Sequence, residues 1–242
     1  METIDNTMTL SVVIPAYNEE ERLPITLDRI TEFFDKEKAS VEIVIVNDGS
    51  NDSTRRIIQK YSTIYKGIFL INNASNRGKG YSARRGVLKA TGDLILFSDA
   101  DLSTPIEEYV KLKRYIDKGY DIAIGSRRIK GANIKIQQPL HRRFLGRGFG
   151  LLTEIYAVKG IKDTQCGFKL FKRDIAKSIF ERQKIDGFGF DVEVLFLANR
   201  LFNARIKEVP ITWIDSASAS KVNAAKETFR MFRDLIKVRL LH

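Results

Sequence analysis

The 242-residue chain contains one cysteine, Cys166, and only two histidines. A lone cysteine excludes an internal disulfide and suits a reducing compartment. With so few soft ligands an ordinary zinc site cannot be built, so any metal is expected to be oxygen-bound magnesium or manganese. No run of about eighteen apolar residues occurs, so no helix is expected to span a bilayer. Residues 1–9 are polar, include Glu2 and Asp5, and lack the basic and apolar regions of a secretory signal peptide. The five prolines and sixteen glycines form no linker, and there is no internal repeat or low-complexity segment. One continuous domain, residues 1–242, is the simplest organisation.

Acidic residues are also scarce. Forty-one Lys and Arg face thirty Asp and Glu, a net charge of +11 with a pI near 9.7. Such a chain favours anionic partners: nucleic acid, an anionic membrane surface or phosphorylated substrates. The imbalance is local. Arg127, Arg128, Lys130, Lys135, Arg142, Arg143 and Arg147 follow one another with no intervening acid, and a second basic stretch runs from Lys221 to Arg239. A solvated charge run is the ordinary reading, but an acid-free patch repels itself unless an anion is present.

Hydrophobic patterning supplies the fold class. Five apolar, β-branched runs occur in the first half: Leu10–Pro15, Val41–Val46, Ile68–Ile71, Leu94–Phe97 and Ile122–Ile124. Helix-like stretches separate them. Residues 19–34 space Leu23, Leu27, Ile30 and Phe34 by three and four. Ser53 and Thr54 are placed to cap a helix through Ile57, Ile58 and Tyr61. Residues 79–90 form a third helix ending at Gly92, and Pro105 opens a fourth that reaches Gly119. Strands alternating with helices imply βαβ units with right-handed crossovers: an α/β domain with a mostly parallel central sheet flanked by helices. Residues 144–158 are apolar around much of their circumference, which suits a core helix or an interfacial one. Residues 226–241 place Phe229, Phe232, Ile236 and Leu240 on one face among basic residues, which suits a helix lying on a membrane or one packed on the domain.

Polar residues cluster where the strands end. Tyr17-Asn18-Glu19 follows the first strand, Asn47-Asp48-Gly49-Ser50 the second, Asp99 and Asp101 the fourth, and Ser126-Arg127 the fifth. Open α/β sheets bind ligands at the carboxyl ends of their strands. Asp99 and Asp101 cannot both be buried cheaply without a counter-charge, and a hard divalent cation holding a diphosphate would supply one. Gly78-Lys79-Gly80 opens a helix, whose free N–H groups and dipole would favour phosphate. Asp93 reads as a turn or strand-start residue, and Asp191 and Glu193 read as a solvated or ion-paired edge.

Together, Pro15–Glu19, Asn47–Thr54, Asn76–Gly80, Asp99-Ala100-Asp101 and Gly125-Ser126-Arg127 resemble the family 2 glycosyltransferases of the GT-A fold, a Rossmann-like nucleotide-diphospho-sugar transferase domain. Asp163–Phe171, Phe190–Glu193 and Ser220-Lys221 are similar to its polyprenyl-phosphate sugar transferases, nearest the dolichyl-phosphate β-glucosyltransferases. The resemblance implies a nucleotide-sugar half at 10–127, an acceptor half at 128–220 and a basic C-terminal helix at 221–242. It implies metal-dependent, inverting transfer of a sugar, glucose from UDP-glucose, to polyprenyl or dolichyl phosphate. GDP-mannose, UDP-N-acetylglucosamine or UDP-galactose as donor, or a polysaccharide acceptor, remain alternatives within the family.

The implied site is equally specific. Pro15, Tyr17, Glu19, Asp48, Lys79 and Asp99 would bind the donor nucleotide, while the alternative for Tyr17 is a core aromatic. Asp99 and Asp101 would hold Mg²⁺ or Mn²⁺, with Ser103 where mannosyl relatives carry a glutamine ligand. Arg127, Arg142 and Lys221 would hold the acceptor phosphate, Arg142 through a bidentate fork, with Gly146 where relatives often have serine. Asp99, Asp101, Arg127 and Arg142 are thus the expected catalytic set, and Asp163 and Glu193 would orient. A phosphate acceptor is already ionised near neutral pH, so no general base is expected. The implied location is peripheral, on the cytoplasmic face of an anionic membrane. Charge alone also fits a nucleic-acid-binding protein, but no nucleic-acid motif accompanies it, and strand-end carboxylates would repel a phosphate backbone.

Overall fold

Alternating side chains along the first strand decide the architecture. Val12 and Ile14 point to one face of the sheet and Val13 to the other, and all three are buried, so both faces must be covered. The computed structural model describes residues 9–135, 158, 160–214 and 224–242, the last segment with side chains only at 230 and 233–242. Its main sheet has seven strands in the order β3-β2-β1-β4-β7-β5-β8. These are β1 (Leu10–Ala16), β2 (Val41–Asn47), β3 (Ile68–Asn72), β4 (Leu94–Ser98), β5 (Ile122–Ser126), β7 (Phe168–Lys172) and β8 (Ile206–Pro210). All pairings are parallel except those of β7, which runs antiparallel to both β4 and β5. A two-stranded parallel ribbon, β6 (Asn133–Ile134) with β9 (Thr212–Trp213), lies beyond the end of β5.

The five strands expected from apolar runs are present, each one or two residues longer at its carboxyl end. Helices α1 (Leu23–Lys36), α2 (Thr54–Ile64), α3 (Lys79–Lys89) and α4 (Tyr109–Asp117) match the four expected from periodicity. Helix α1 starts at Leu23 rather than Glu19, with Pro24 in its first turn, where a missing N–H costs nothing. Neither Ser53 nor Thr54 caps α2 with its side chain. Thr54 Oγ1 instead accepts from Glu19 N at 2.7 Å, while Asp52 accepts from Thr54 N at 2.9 Å.

Helices α1, α2 and α4 cover one face, through Leu23, Leu27, Ile58 and Leu112. Helix α3 covers the other through Ala83 and Val87, with α5 (Arg173–Arg182) and α6 (Phe190–Arg200). The chain moves across the sheet in one direction for β1-β2-β3 and in the other for β3-β4-β5. Helix α3 changes face with that reversal, but α4 does not. The β4–α4–β5 connection therefore has the opposite hand to the other three, against the uniform right-handedness expected. It passes around β7, which fills the gap between β4 and β5.

The C-terminal helix α7 (Ala224–Leu241) packs on this second face, with Asp234, Leu235 and Val238 buried. No helix among the described residues is long and apolar enough to cross a membrane. The expected helix at 144–158, apart from buried Val158, lies outside the described residues, as do Arg142 and Lys221.

Candidate active site

The carboxyl ends of β1, β2, β4 and β5 form one rim, and the antiparallel β7 adds its amino end to it. Ser98 pairs with Phe168, so Cys166 and Gly167 sit beside Asp99. The contact is tight: a Cβ on Gly167 would lie 1.9 Å from Asp99 Oδ2. Asp99 takes the space that a side chain at 167 would need.

Two cations answer the two aspartates. Lys79 Nζ lies 2.6 Å from Asp99 Oδ1, and Arg22 Nη1 lies 3.4 Å from Asp101 Oδ2. Arg22 also forks onto Glu19, with Nε and Nη2 donating at 2.7 and 2.5 Å, so Glu19, Arg22 and Asp101 form one chain of charge. Burial pushes the Asp99 carboxyl above its usual value, opposed by Lys79 and reinforced by the Asp101 charge. Burial likewise raises Glu19 against the pull of Arg22. Burial opposes the charge of Lys79, yet Asp99 and Asp191 raise its pKa, and it stays protonated. The backbone at Leu102 is left-handed (φ 44°), and Ser103 N donates to Asp101 Oδ1 at 3.0 Å. For a bulky residue this is a costly conformation of the kind found at functional sites.

The donor set suits a hard cation. Among the described residues no three His, Cys, Asp or Glu side chains form a complete metal cage. Two carboxylates whose cationic partners are the ends of long, flexible side chains match magnesium-type binding, in which phosphate and water fill most of the shell. Asp99 and Asp101 would hold it. Ser103 touches Asp101 through its amide.

The nucleotide-side residues fall as follows. Tyr17 is 42% exposed on the rim, which excludes a core aromatic. Pro15 and Ala16 close β1. Asp48 is buried and already accepts from Asn73 Nδ2 (2.6 Å), Arg77 N (3.0 Å) and Gly78 N (2.8 Å). It is therefore a clamp between β2 and the start of α3, with one of about four lone-pair sites left for a ligand. The polar residues of the Asn47–Thr54 run mostly lace loops together. Asn18 N donates to Ser50 Oγ and Asn51 N to Asn18 Oδ1.

The expected phosphate cradle at Gly78-Lys79-Gly80 is corrected by the structure. Gly78 N goes to Asp48, and Gly80 N and Tyr81 N donate to the carbonyl of Asp186 at 2.7 and 3.1 Å. Helix α3 is capped from within, and its contribution to an anion is the Lys79 ammonium. Asp93 lies at the opposite end of the sheet, bonded to Thr9 and Arg173, as a strand-start residue should be.

Arg127 also departs from expectation. Its Nε and Nη2 donate to Asp163 at 2.8 Å each, its N–H donates to the same carboxylate at 2.9 Å, and its guanidinium lies 5.4 Å from the Trp213 ring centroid. The Arg127 guanidinium, expected on the acceptor phosphate, is instead engaged by Asp163, so Arg127 acts as a strut. Burial works against the Asp163 charge, but the Arg127 guanidinium holds its carboxyl down at about 2. Glu208 fixes the same turn by accepting from Lys162 N and Asp163 N.

Asp191 and Glu193 are buried rather than solvated. Lys169, itself buried, joins Asp191 to the carbonyl of Cys166 behind the rim. Glu193 accepts from Lys184 N and Ile185 N, each at 2.8 Å. Burial pushes the Cys166 thiol up to about 12, so it is inert. Reading the sequence missed Arg22, Asn73 and Asp186. Only Arg22 had a local signal, its position three residues after Glu19.

A model of the family described as "Glycosyl transferase family 2" matches residues 11–180. A protein of Trichomonas vaginalis named dolichyl-phosphate beta-glucosyltransferase is 39% identical over 96% of this chain and 73% of its own length. The Homo sapiens protein of that name is 35% identical over 97% of this chain and 76% of its own. Among solved structures, glucosyl-3-phosphoglycerate synthase from Mycobacterium tuberculosis, in complex with Mn²⁺ and UDP-glucose, superposes with a TM-score of 0.70 at 18% identity. That alignment covers 96% of this chain and 79% of the other and shows the shared GT-A fold. With its strand-end aspartates, reversed seventh strand and matched relatives, the chain belongs to glycosyl transferase family 2.

Proposed function

We propose that the protein transfers glucose from UDP-glucose to dolichyl or another polyprenyl phosphate, inverting the anomeric centre to give a β-linked lipid-phosphate sugar. The observation that carries the chemistry is the Asp99–Asp101 pair at the end of β4, held by Lys79 and Arg22, with no third carboxylate completing a metal cage among the described residues. The sugar and the lipid come from the names of relatives that are 35–39% identical over nearly the whole chain.

Mg²⁺ or Mn²⁺ on Asp99 and Asp101 would stabilise the charge that develops on the leaving diphosphate. Lys79, which holds Asp99 at the rim, would supply a positive charge to the diphosphate. Tyr17, Glu19 and Pro15 flank the nucleoside, and Asp48 holds the α3 start against it. The acceptor phosphate, whose second pKa is near 6, is its own nucleophile. Three buried carboxylates of the second half are likewise committed: Asp163 is held by Arg127, Asp191 by Lys169 and Glu193 by loop amides and His242, so none is poised as a base. Arg142 and Lys221 bind the lipid phosphate, and Arg127, through Asp163, sets the turn at which the basic stretch leaves the sheet. The protein works as a peripheral enzyme on the cytoplasmic face of an anionic membrane.

Transfer of labelled glucose into an organic-phase lipid tests this. UDP-glucose should be used in preference to UDP-galactose, UDP-N-acetylglucosamine and GDP-mannose. EDTA and Asp101→Asn should each abolish transfer while circular dichroism stays unchanged. Full activity in metal-free protein, or a preference for GDP-mannose, would refute the corresponding part of the reading.

A further inference from the structure

Glu193 is fully buried and does not face the rim, yet it is bound on three sides. It accepts from Lys184 N and Ile185 N, and its Oε1 lies 2.7 Å from Nε2 of the buried His242 side chain. A carboxylate is retained in such a place only when its hydrogen bonds are satisfied, so these contacts define its role.

Two of the three bonds pin residues 184 and 185, and the stretch that follows reaches the donor rim. The Asp186 carbonyl caps α3 at Gly80 and Tyr81. Its backbone lies so close that a Cβ on Gly78 would be 2.4 Å from Asp186 O, and one on Gly80 would be 2.2 Å from Ile185 O. The Phe188 ring centroid lies 5.8 Å from Lys79 Nζ, the ammonium that holds Asp99. The third bond leads to α7. That helix is seated by His242, by buried Val238, and by Asp234, whose Cβ would be 2.5 Å from a Cβ on Gly189.

We infer that Glu193 is a positioning residue for donor binding, and that α7, fastened to it through His242, braces the donor site from behind. Displacing α7 frees one side of Glu193, loosens residues 184–189, and uncaps the turn that presents Lys79 to Asp99. The helix and the nucleotide site then respond as one unit. The inference rests on reading Asp99 and Lys79 as the donor site.

Calorimetry of UDP with Mn²⁺ on the full chain tests it, with Asp101→Asn as the control for the site itself. Glu193→Gln and His242→Ala should each weaken UDP at least fivefold and raise the donor KM more than they lower kcat. The double variant should bind no worse than the weaker single, because one carboxylate carries both effects. His242→Gln, which keeps an N–H donor, should recover most of the affinity. Singles that lower the melting temperature yet bind UDP within twofold of the parent would overturn the brace while leaving the donor site standing. Additive losses in the double variant would overturn it as well. UDP binding that survives Asp101→Asn would remove the donor-site reading and the brace with it.

Discussion

Gly167 lacks a side chain because Asp99 lies where one would be, with Oδ2 1.9 Å from the ideal Cβ position. Gly167→Ala must push either the carboxylate or the β7 backbone aside. The strand is fixed by its pairing with β4 and β5 and by the buried Lys169–Asp191 pair, so the carboxylate moves. We expect transfer to fall by about a hundredfold, the scale of an angstrom-sized misplacement, in protein whose far-ultraviolet spectrum is unchanged. Wild-type kinetics for Gly167→Ala would show that Asp99 need not sit where it does. Asp163 gives a second test. Its folded value of about 2 lies below the 3.9 or so of an unfolded aspartate. The pair therefore stabilises the fold fully above about pH 4, and this contribution, on the order of 2 kcal/mol, is lost as pH falls toward 2. Urea unfolding between pH 5 and pH 2.5 should show that decline in the parent. It should be smaller in Asp163→Asn, which at pH 7 is destabilised by about 3 kcal/mol because the partly buried Arg127 loses its partner. Equal pH slopes would contradict the assignment. The rim positions of Asp99, Asp101, Glu19 and Lys79 were legible because these residues follow strands or open a helix. Their partners were not. Arg127 and Asp163 are thirty-six positions apart, and nothing local in a basic run says that one arginine is already taken.

Among elements, α7 presents the clearest division of labour. Asp234, Leu235 and Val238 face the domain, whereas Ile236 is 65% and Leu240 79% exposed. Arg230, Arg233, Lys237 and Arg239 are exposed beside them. Periodicity had left open a membrane-facing helix or a packed one, and the packed description holds for the side that carries Asp234, Leu235 and Val238. Each basic side chain near an anionic surface is worth roughly 1 kcal/mol, screened by salt. The protein should sediment with phosphatidylserine vesicles at low salt, less so at 0.5 M NaCl, and hardly at all as Arg233→Glu/Lys237→Glu. Equal sedimentation with neutral vesicles would refute an electrostatic attachment. The strands of the first half were readable because each contains at least three consecutive apolar residues. Strand β7 was not, since Lys169 and Lys172 interrupt it and the buried Lys169 finds its partner, Asp191, on another element. Helix α6 was not, because it is buried nearly all round and so has no polar stripe to set a period.

At the scale of the molecule, the donor rim draws on both expected halves. Strands β1, β2 and β4 supply Tyr17, Asp48, Asp99 and Asp101, while Gly167 and residues 184–189 come from the second half. The boundary placed at residue 127 therefore does not divide independent folding units. Thermal unfolding should be a single transition. UDP with Mn²⁺ at a hundred times its Kd should add about 2.7 kcal/mol, raising the Tm by roughly 5–10 °C, and GDP should add less. Two separated transitions, with ligand moving only one, would show that the halves are autonomous after all.

The reversal of β7 has one more result. Because β7 is antiparallel to β5 and adjacent to it, the chain leaves the sheet after Ser126 and re-enters at Phe168 on the same edge, one inter-strand step away. The segment between them has both ends at the strand-end rim. Its length is nearly free in energy, since doubling such a loop costs only about 0.6 kcal/mol. Exchanging residues between positions 135 and 158 should therefore leave all seven strands in register, provided that the β6–β9 pairing and the buried Val158 and Ile161 are kept as the ends of the exchanged segment.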